Sequence, residues 1–207
     1  MAKPKFIVLE GGEGAGKSTQ LKLFKESFGD SVVVTREPGG SPYAEEIRNV
    51  ILKSSNAKDA NAKTHFALFW AARADHIANT ILPALKAGKP VISDRFDSST
   101  FAYQIYGQEA KKLEDFFWKT REFYMEELKP DLYIYLDVDI EVGLRRKYAD
   151  NQEINHFEER DLAFHRRMKT GFTEFFKHVP YKIIDANQPL EKVKEDLLGI
   201  IKNELGF

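Results

Sequence analysis

The residues best equipped for chemistry sit near the start of the chain. Gly11, Gly16, Lys17 and Ser18 fill the pattern G-x-x-x-x-G-K-[ST], with the apolar run Phe6–Leu9 before it and a helical pattern after it. That is the strand–loop–helix context of a phosphate-binding loop. Small residues at Gly11, Gly12, Gly14, Ala15 and Gly16 let backbone N–H groups turn inward around phosphate oxygens. A helix beginning near Thr19 points its positive end at the same anion. Lys17 supplies a mobile charge for β- and γ-phosphates, and the Ser18 hydroxyl is a ligand for Mg²⁺. The expected ligand is ATP with Mg²⁺. Glu13 is the exception inside the loop. A carboxylate is repelled by a triphosphate, so it is expected to face away, toward a group that wants an acceptor.

The elements that must hold this loop follow from the alternation of short apolar runs with long helical patterns, which predicts βαβ units and a parallel sheet. Strands are expected at Phe6–Leu9, Val32–Thr35, Val91–Ser93, Leu132–Val138 and Tyr181–Ile184. Helices are expected at about 19–28, 42–53, 62–86, 98–106, 110–128, 140–148, 159–178 and 189–204. In the seventh helix, Leu162, Met168, Phe172, Phe175, Phe176 and Val179 recur at helical spacing as a core stripe. The polar, aperiodic stretch Tyr148–Asn155 is a candidate lid. The reading is one α/β domain over 1–207 with a lid at approximately 146–158, without internal repeats.

Ligands of open α/β sheets bind beyond the carboxyl ends of the strands. Those positions carry Arg36-Glu37-Pro38-Gly39-Gly40, Asp94-Arg95-Phe96-Asp97 and Asp137-Val138-Asp139. Asp94 is the preferred partner of a Mg²⁺ shell, with Asp137 the alternative; Arg95, next to Asp94, points elsewhere and its planar fork suits an acceptor phosphate. Phe69 and Arg73 share a helix face. They are either a nucleobase reader, the ring stacking and the guanidinium bonding the base edge, or a core phenylalanine beside a surface arginine, which spacing alone favours. Ser99 with Tyr103, and Thr100 with Gln104, repeat the four-residue spacing; they line the same pocket or form a solvated face.

Composition narrows the partners. With 207 residues and a net charge of −1, the chain has room for a sizeable core and no polyanion-binding surplus, so nucleic acid is not expected as a partner. The absence of cysteine excludes disulfides and thiolate metal sites and fits a reducing cytoplasm. The N-terminal apolar run is too short for a signal segment, and no stretch reaches the length of a membrane span. The five histidines lack metal-ligand spacing and read as ordinary surface or core residues.

Together these segments resemble the bacterial thymidylate kinase family. The resemblance rests on Glu-Gly-Gly-Glu-Gly-Ala-Gly-Lys-Ser-Thr at 10–19, Thr-Arg-Glu-Pro-Gly-Gly at 35–40, Ala-Ala-Arg at 71–73, Asp-Arg-Phe at 94–96, Ser-Ser-Thr-Phe-Ala-Tyr-Gln at 98–104, Lys-Pro-Asp-Leu-Tyr-Ile-Tyr-Leu-Asp-Val at 129–138 and Ile-Asp-Ala-Asn-Gln-Pro-Leu at 184–190. It implies a P-loop NTPase-type three-layer α/β/α fold with a five-stranded parallel sheet, a homodimer, and conversion of dTMP to dTDP by ATP with Mg²⁺. By the same resemblance Glu13 accepts from the dTMP 3′-hydroxyl, Phe69 stacks on thymine, Arg73 bonds its edge, and Arg95 holds the acceptor phosphate. Tyr103 lies under the sugar, Arg36, Pro38 and Arg48 line the dTMP side with Ser99, Thr100 and Gln104, and the loop carrying Ala186 and Gln188 packs on adenine.

One segment departs from the family pattern. The lid side reads Arg145-Arg146-Lys147-Tyr148-Ala149-Asp150 and then Asn155-His156-Phe157-Glu158, with His156 where an arginine is usual. Arg146, ahead of Arg145, is the expected lid charge on the transferred phosphoryl. Two other classes fit less well. A GTP-binding switch needs Asn-Lys-x-Asp, and Asn56-Ala57-Lys58-Asp59 has the wrong order. An assembly ATPase needs a large partner patch that the sequence does not display. A kinase for another nucleoside or nucleoside monophosphate is the nearer alternative.

Overall fold

The computed structural model describes residues 4–149 and 155–206; residues 150–154 of the expected lid lie outside the described residues. Five strands form one parallel sheet: β1 (Phe6–Gly11), β2 (Val33–Arg36), β3 (Val91–Asp94), β4 (Leu132–Asp137) and β5 (Tyr181–Asp185), in the order β2-β3-β1-β4-β5. β1 is buried along its whole length, as a central parallel strand covered on both faces must be. The chain winds to one side of β1 for β2 and β3 and to the other for β4 and β5, so a crevice opens beyond the carboxyl end of β1.

The pleat of β1 sorts the core into two layers. Phe6 and Val8 pack with Trp70, Phe117 and Phe172, from α3 (Ala62–His76), α6 (Glu114–Met125) and α8 (Leu162–Phe176). Ile7 and Leu9 pack with Leu21, Phe24, Val193 and Leu197, from α1 (Lys17–Phe28) and α9 (Leu190–Leu205). The result is the α/β/α sandwich expected of a P-loop NTPase-type chain. α2 (Pro42–Lys53) lies against α3, and α7 (Ile140–Ala149) leads to the lid side. The core stripe of α8 needs one correction: Leu162 is 41% exposed, because it sits at the first turn before the helix reaches the sheet.

Two expected helices are not regular. The span 62–86 is α3, a π-helical turn at Ile77–Ile81, and α4 (Leu82–Lys86). The span 98–106 is α5 (Asp97–Thr100) followed by a π-helical stretch at Phe101–Gly107. A π turn carries an extra residue, rotates the side chains beyond it and is common at functional sites. Among the described residues, no helix is long and apolar enough to cross a membrane.

Candidate active site

A cleft of about 1080 Å³ opens beyond the carboxyl ends of the strands. One wall is the loop from Glu13 to Ser18 with Thr19 beyond it. Gly16 has a φ of +89° and precedes α1 without a side-chain cap, so the first-turn N–H groups face the cleft unclaimed by a cap. The Lys17 ammonium donates to Gly11 O at 2.9 Å and Gly12 O at 3.0 Å, folding the loop over its own side chain. Burial and the neighbouring Arg95 cation lower the Lys17 pKa, against the pull of Asp94, Glu13 and Glu10. Ser18 is exposed on the cleft wall, and Gly11 and Gly12 lie behind it. The loop tip is fixed from outside: a Cβ on Gly14 would lie 1.9 Å from Gly143 O, so two glycines let the loop touch α7.

Glu13 turns to the opposite wall. Its Oε1 accepts from Arg95 Nη2 at 3.0 Å and from the Tyr103 hydroxyl at 2.5 Å. Burial raises this carboxyl, but Arg95 and Lys17 outweigh burial and bring its pKa down to about 2. Arg95 also donates to Gly11 O at 3.2 Å and Ser99 Oγ at 3.4 Å. It adopts φ +66°, a conformation that costs a non-glycine residue about 1–3 kcal/mol and persists only where its surroundings enforce it. Glu10, absent from the sequence-based set, does the enforcing. Its fully buried carboxylate accepts from Phe96 N at 3.0 Å, Ser98 Oγ at 2.6 Å and Ser99 Oγ at 2.9 Å, pinning the turn after Arg95 onto β1. Burial raises the Glu10 pKa, against the pull of Arg95 and those hydrogen bonds.

Beyond Arg95 the cleft ends in Phe69, Tyr103, Gln104 and Phe157. Phe157 packs on Phe69 and edge-on to Tyr103, at 6.1 and 5.9 Å between ring centroids. Both polar atoms of the Gln104 amide are buried without a partner. Arg73 is not a surface residue. It is 1% exposed and donates from Nε to Glu37 Oε2 at 2.9 Å and from Nη2 to Phe96 O at 2.9 Å and Thr100 Oγ1 at 3.1 Å, while Nη1 has no partner. Thr100 therefore stands behind the cleft wall as a support for Arg73, whereas Ser99, Tyr103 and Gln104 line it. The segment 101–107 is buried rather than a solvated face.

Arg36, Pro38 and Arg48 border the same end. Arg48 donates to Pro38 O at 2.7 Å and Arg36 to Glu45 at 2.9 Å. Among the described residues Asp94 Oδ1 and Asp137 Oδ1 are both buried without a hydrogen-bond partner, but only Asp94 lines the cleft, and Asp137 Oδ1 is ion-paired with Lys169 at 2.5 Å. At the other end lie Ala186, Asn187 and Gln188. Arg146 joins them, donating from Nη1 to Ala186 O at 2.8 Å. Among the described residues, Arg145 bonds only Glu141 O in its own helix. His156 bonds Ile51 O at 3.0 Å and stacks on His65, outside the cleft lining.

A profile of the thymidylate kinase family matches residues 9–197. The thymidylate kinase of Limosilactobacillus reuteri (strain DSM 20016) is 41% identical over 206 residues, covering 95% of each chain. That of Leuconostoc citreum is 42% identical over 212 residues, covering 99% of this chain and 98% of its own. This chain belongs to the thymidylate kinase family. The crystal structure of the Ehrlichia chaffeensis thymidylate kinase superposes with a TM-score of 0.74 at 28% identity, covering 97% of this chain and 99% of that one. Within this family frame, Glu10, Phe157 and Gly143 are the residues that sequence reasoning missed. The Phe-Glu pair at 157–158 and the glycine within the 140–148 helical pattern were visible signals, but neither says what it touches.

Proposed function

We propose that this thymidylate kinase family member transfers the γ-phosphoryl group of ATP to dTMP, giving ADP and dTDP for dTTP synthesis. The observation that carries the reading is the closed end of the cleft. There an aromatic face, Phe69, meets the Gln104 amide, whose Nε2 and Oε1 are buried without a partner among the described residues; Arg73 Nη1, also unpartnered among them, is buried just outside the cleft lining. Buried polar groups without partners cost about 1–3 kcal/mol each. A base presenting both a carbonyl and an N–H on one edge would satisfy them. Thymine does so, with Arg73 donating to a base carbonyl and the Gln104 amide serving as donor and acceptor.

In this reading the acceptor phosphate lies at Arg95, the sugar lies over Tyr103, and the 3′-hydroxyl donates to Glu13. Arg36, Pro38, Arg48 and Ser99 close that side. The donor triphosphate lies in the loop from Gly11 to Thr19, with Lys17 on its β- and γ-phosphates and adenine against Ala186 and Gln188. An oxygen of the dTMP phosphate attacks the γ-phosphorus, the bond to the β–γ bridging oxygen breaks, and that electron pair leaves with ADP. The second pKa of a phosphate monoester is about 6, so the nucleophile is already mostly dianionic and no general base is required. Positioning and positive charge lower the barrier. Lys17 and Arg95 supply the charge at the transferred group. The Arg146 bond to Ala186 O supports a role on the adenine side of ATP rather than on the transferred phosphoryl.

Mg²⁺ is part of the proposal. The unpartnered Asp94 Oδ1 and the exposed Ser18 hydroxyl share the cleft wall and suit a cation held by one or two side chains plus phosphates and water. Bound there, Mg²⁺ would neutralise phosphate charge. The further proposals are one kinase domain over 1–207 with its lid at approximately 146–158, a cytoplasmic location, no nucleic-acid or membrane partner, and a homodimer. Exposed apolar side chains support the dimer: Tyr43 and Val50 on α2, and Phe116 and Phe123 on α6.

The test is ATP consumption with dTMP, dUMP, UMP, dCMP, AMP and thymidine in the presence of Mg²⁺. dTMP is expected to be the best acceptor. Equal or better turnover of a ribonucleotide or of thymidine would overturn the reading.

A further inference from the structure

Behind the cleft, a line of buried side chains runs from the loop after β2 to Arg73. His76, at the end of α3, is fully buried and has two partners. Its Nδ1 lies 3.0 Å from Glu37 Oε1 and its Nε2 lies 2.7 Å from Thr35 Oγ1. The second oxygen of Glu37 accepts from Arg73 Nε at 2.9 Å and lies 2.8 Å from Nη2. Phe96 O and Thr100 Oγ1 take Nη2 from the far side. Every Arg73 donor group is committed except Nη1.

Such a line fixes proton positions as well as atoms. A carboxylate only accepts, so His76 donates to Glu37 from Nδ1. In the neutral ring Nε2 then accepts, and the Thr35 hydroxyl donates to it. The loop is fitted closely over this arrangement. Gly40 has φ +89°, and a Cβ there would lie 2.5 Å from His76 Nε2 and 2.6 Å from Thr35 Oγ1. Thr80 Oγ1 holds Gly40 O at 2.7 Å, and Ser41 Oγ donates to Asp75 at 2.6 Å. None of Thr35, His76 and Gly40 lines the cleft.

We propose that His76 is a positioning residue for base selectivity: through Glu37 it holds the Arg73 guanidinium so that Nη1 alone faces the base edge as a donor. The inference rests on the proposed reading of Arg73 as the group that bonds the base. A fixed donor distinguishes thymine, which offers a carbonyl at its 4-position, from cytosine, which offers an amino group. A site built around such a bond rejects the mismatched base strongly, whereas a guanidinium free to swing tolerates both.

The experiment compares kcat/KM for dTMP and dCMP, and KM for ATP, in the wild type and in His76→Phe, His76→Asn and Thr35→Val. His76→Phe fills the space and removes both hydrogen bonds. It is expected to lower kcat/KM for dTMP roughly tenfold, to leave that for dCMP unchanged or raised, and to leave KM for ATP unaltered. His76→Asn, whose amide nitrogen can occupy the place of Nδ1, should retain most of the dTMP preference. Thr35→Val should show a smaller contraction in the same direction. Parallel losses for dTMP and dCMP, an equal rise in KM for ATP, or an intact preference in His76→Phe would overturn the proposal. Should His76→Phe not fold, an undiminished preference in Thr35→Val overturns it and a contracted one supports it. A wild type that fails to prefer dTMP over dCMP overturns instead the reading of Arg73 on which the inference rests.

Discussion

The two walls of the cleft are made by different means. The phosphate-loop wall comes from one stretch, 11–19, and its binding groups are backbone N–H groups, a helix terminus and one lysine. The opposite wall is assembled from side chains on separate elements: Glu13, Phe69 on α3, Arg95 after β3, and Tyr103 and Gln104 in the π-helical stretch. The first wall is preorganised by local conformation, through glycines that tolerate positive φ. The second is preorganised by ion pairs and buried hydrogen bonds between distant residues, Glu13 to Arg95 and Glu37 to Arg73 and His76. A generic ligand part needs only a local motif, whereas discrimination between acceptors needs side chains held against one another.

Arg95 is where this contrast is most easily broken, because it touches both walls through Glu13 and Gly11 O. Arg95→Met should reduce kcat/KM for dTMP by roughly 10³-fold or more, as expected for the loss of an arginine that stabilises a transferred phosphoryl group. Steady-state kinetics should show KM for ATP changing far less. Equal damage to both substrates would mean that the walls are one unit.

Glu13→Gln sharpens the boundary inside the loop itself. KM for dTMP should rise about tenfold, the cost of weakening a hydrogen bond to a charged group, while ATP binding by calorimetry stays close to wild type. A loss of ATP affinity instead would put Glu13 on the donor wall. The same variant tests the electrostatics. Burial raises the Glu13 carboxyl, but Arg95 and Lys17 bring it from the ordinary 4.5 to about 2. Because the folded-state value is depressed, its ionisation stabilises the fold above about pH 4.5, and that contribution is lost as pH falls toward about 2. Thermal melting across that window should fall less steeply in Glu13→Gln than in the wild type.

The smallest effect is expected at Arg146. With its guanidinium on Ala186 O, Arg146→Ala should raise KM for ATP by roughly threefold to tenfold and lower kcat by less than that. A loss of kcat approaching 10³-fold would instead identify it as the charge on the transferred phosphoryl.

Much of this was legible before the fold was known. The strands fell where short apolar runs predicted them; β1, β3 and β4 are buried almost throughout, as parallel strands covered on both faces must be, whereas the edge strands β2 and β5 are largely half-buried or exposed. The loop from Gly11 to Ser18 was legible for the same reason it works: its parts are adjacent. Arg73 shows the limit. Four-residue spacing with Phe69 left it a base reader or a surface residue, and only its bonds to Glu37, Phe96 and Thr100, with Nη1 left over, make it a buried donor. The π turn at 101–107 was invisible because helical periodicity assumes 3.6 residues per turn; Thr100, just before it, stands behind the wall, and Gln104, within it, lines the cleft. In the sequence only the neighbouring Arg95 favours Asp94 over Asp137; in the fold Lys169, on α8, pairs with Asp137 and not with Asp94.

The sequence by itself determined the sheet, the phosphate loop and the family, because periodic burial and contiguous motifs are written along the chain. The tertiary structure decided what each charged side chain faces. Glu10, Glu13, Glu37 and Asp137 are the same kind of carboxylate in sequence. Their different tasks come from partners up to 90 positions away, and no local rule specifies which cation or hydroxyl folding will bring to each.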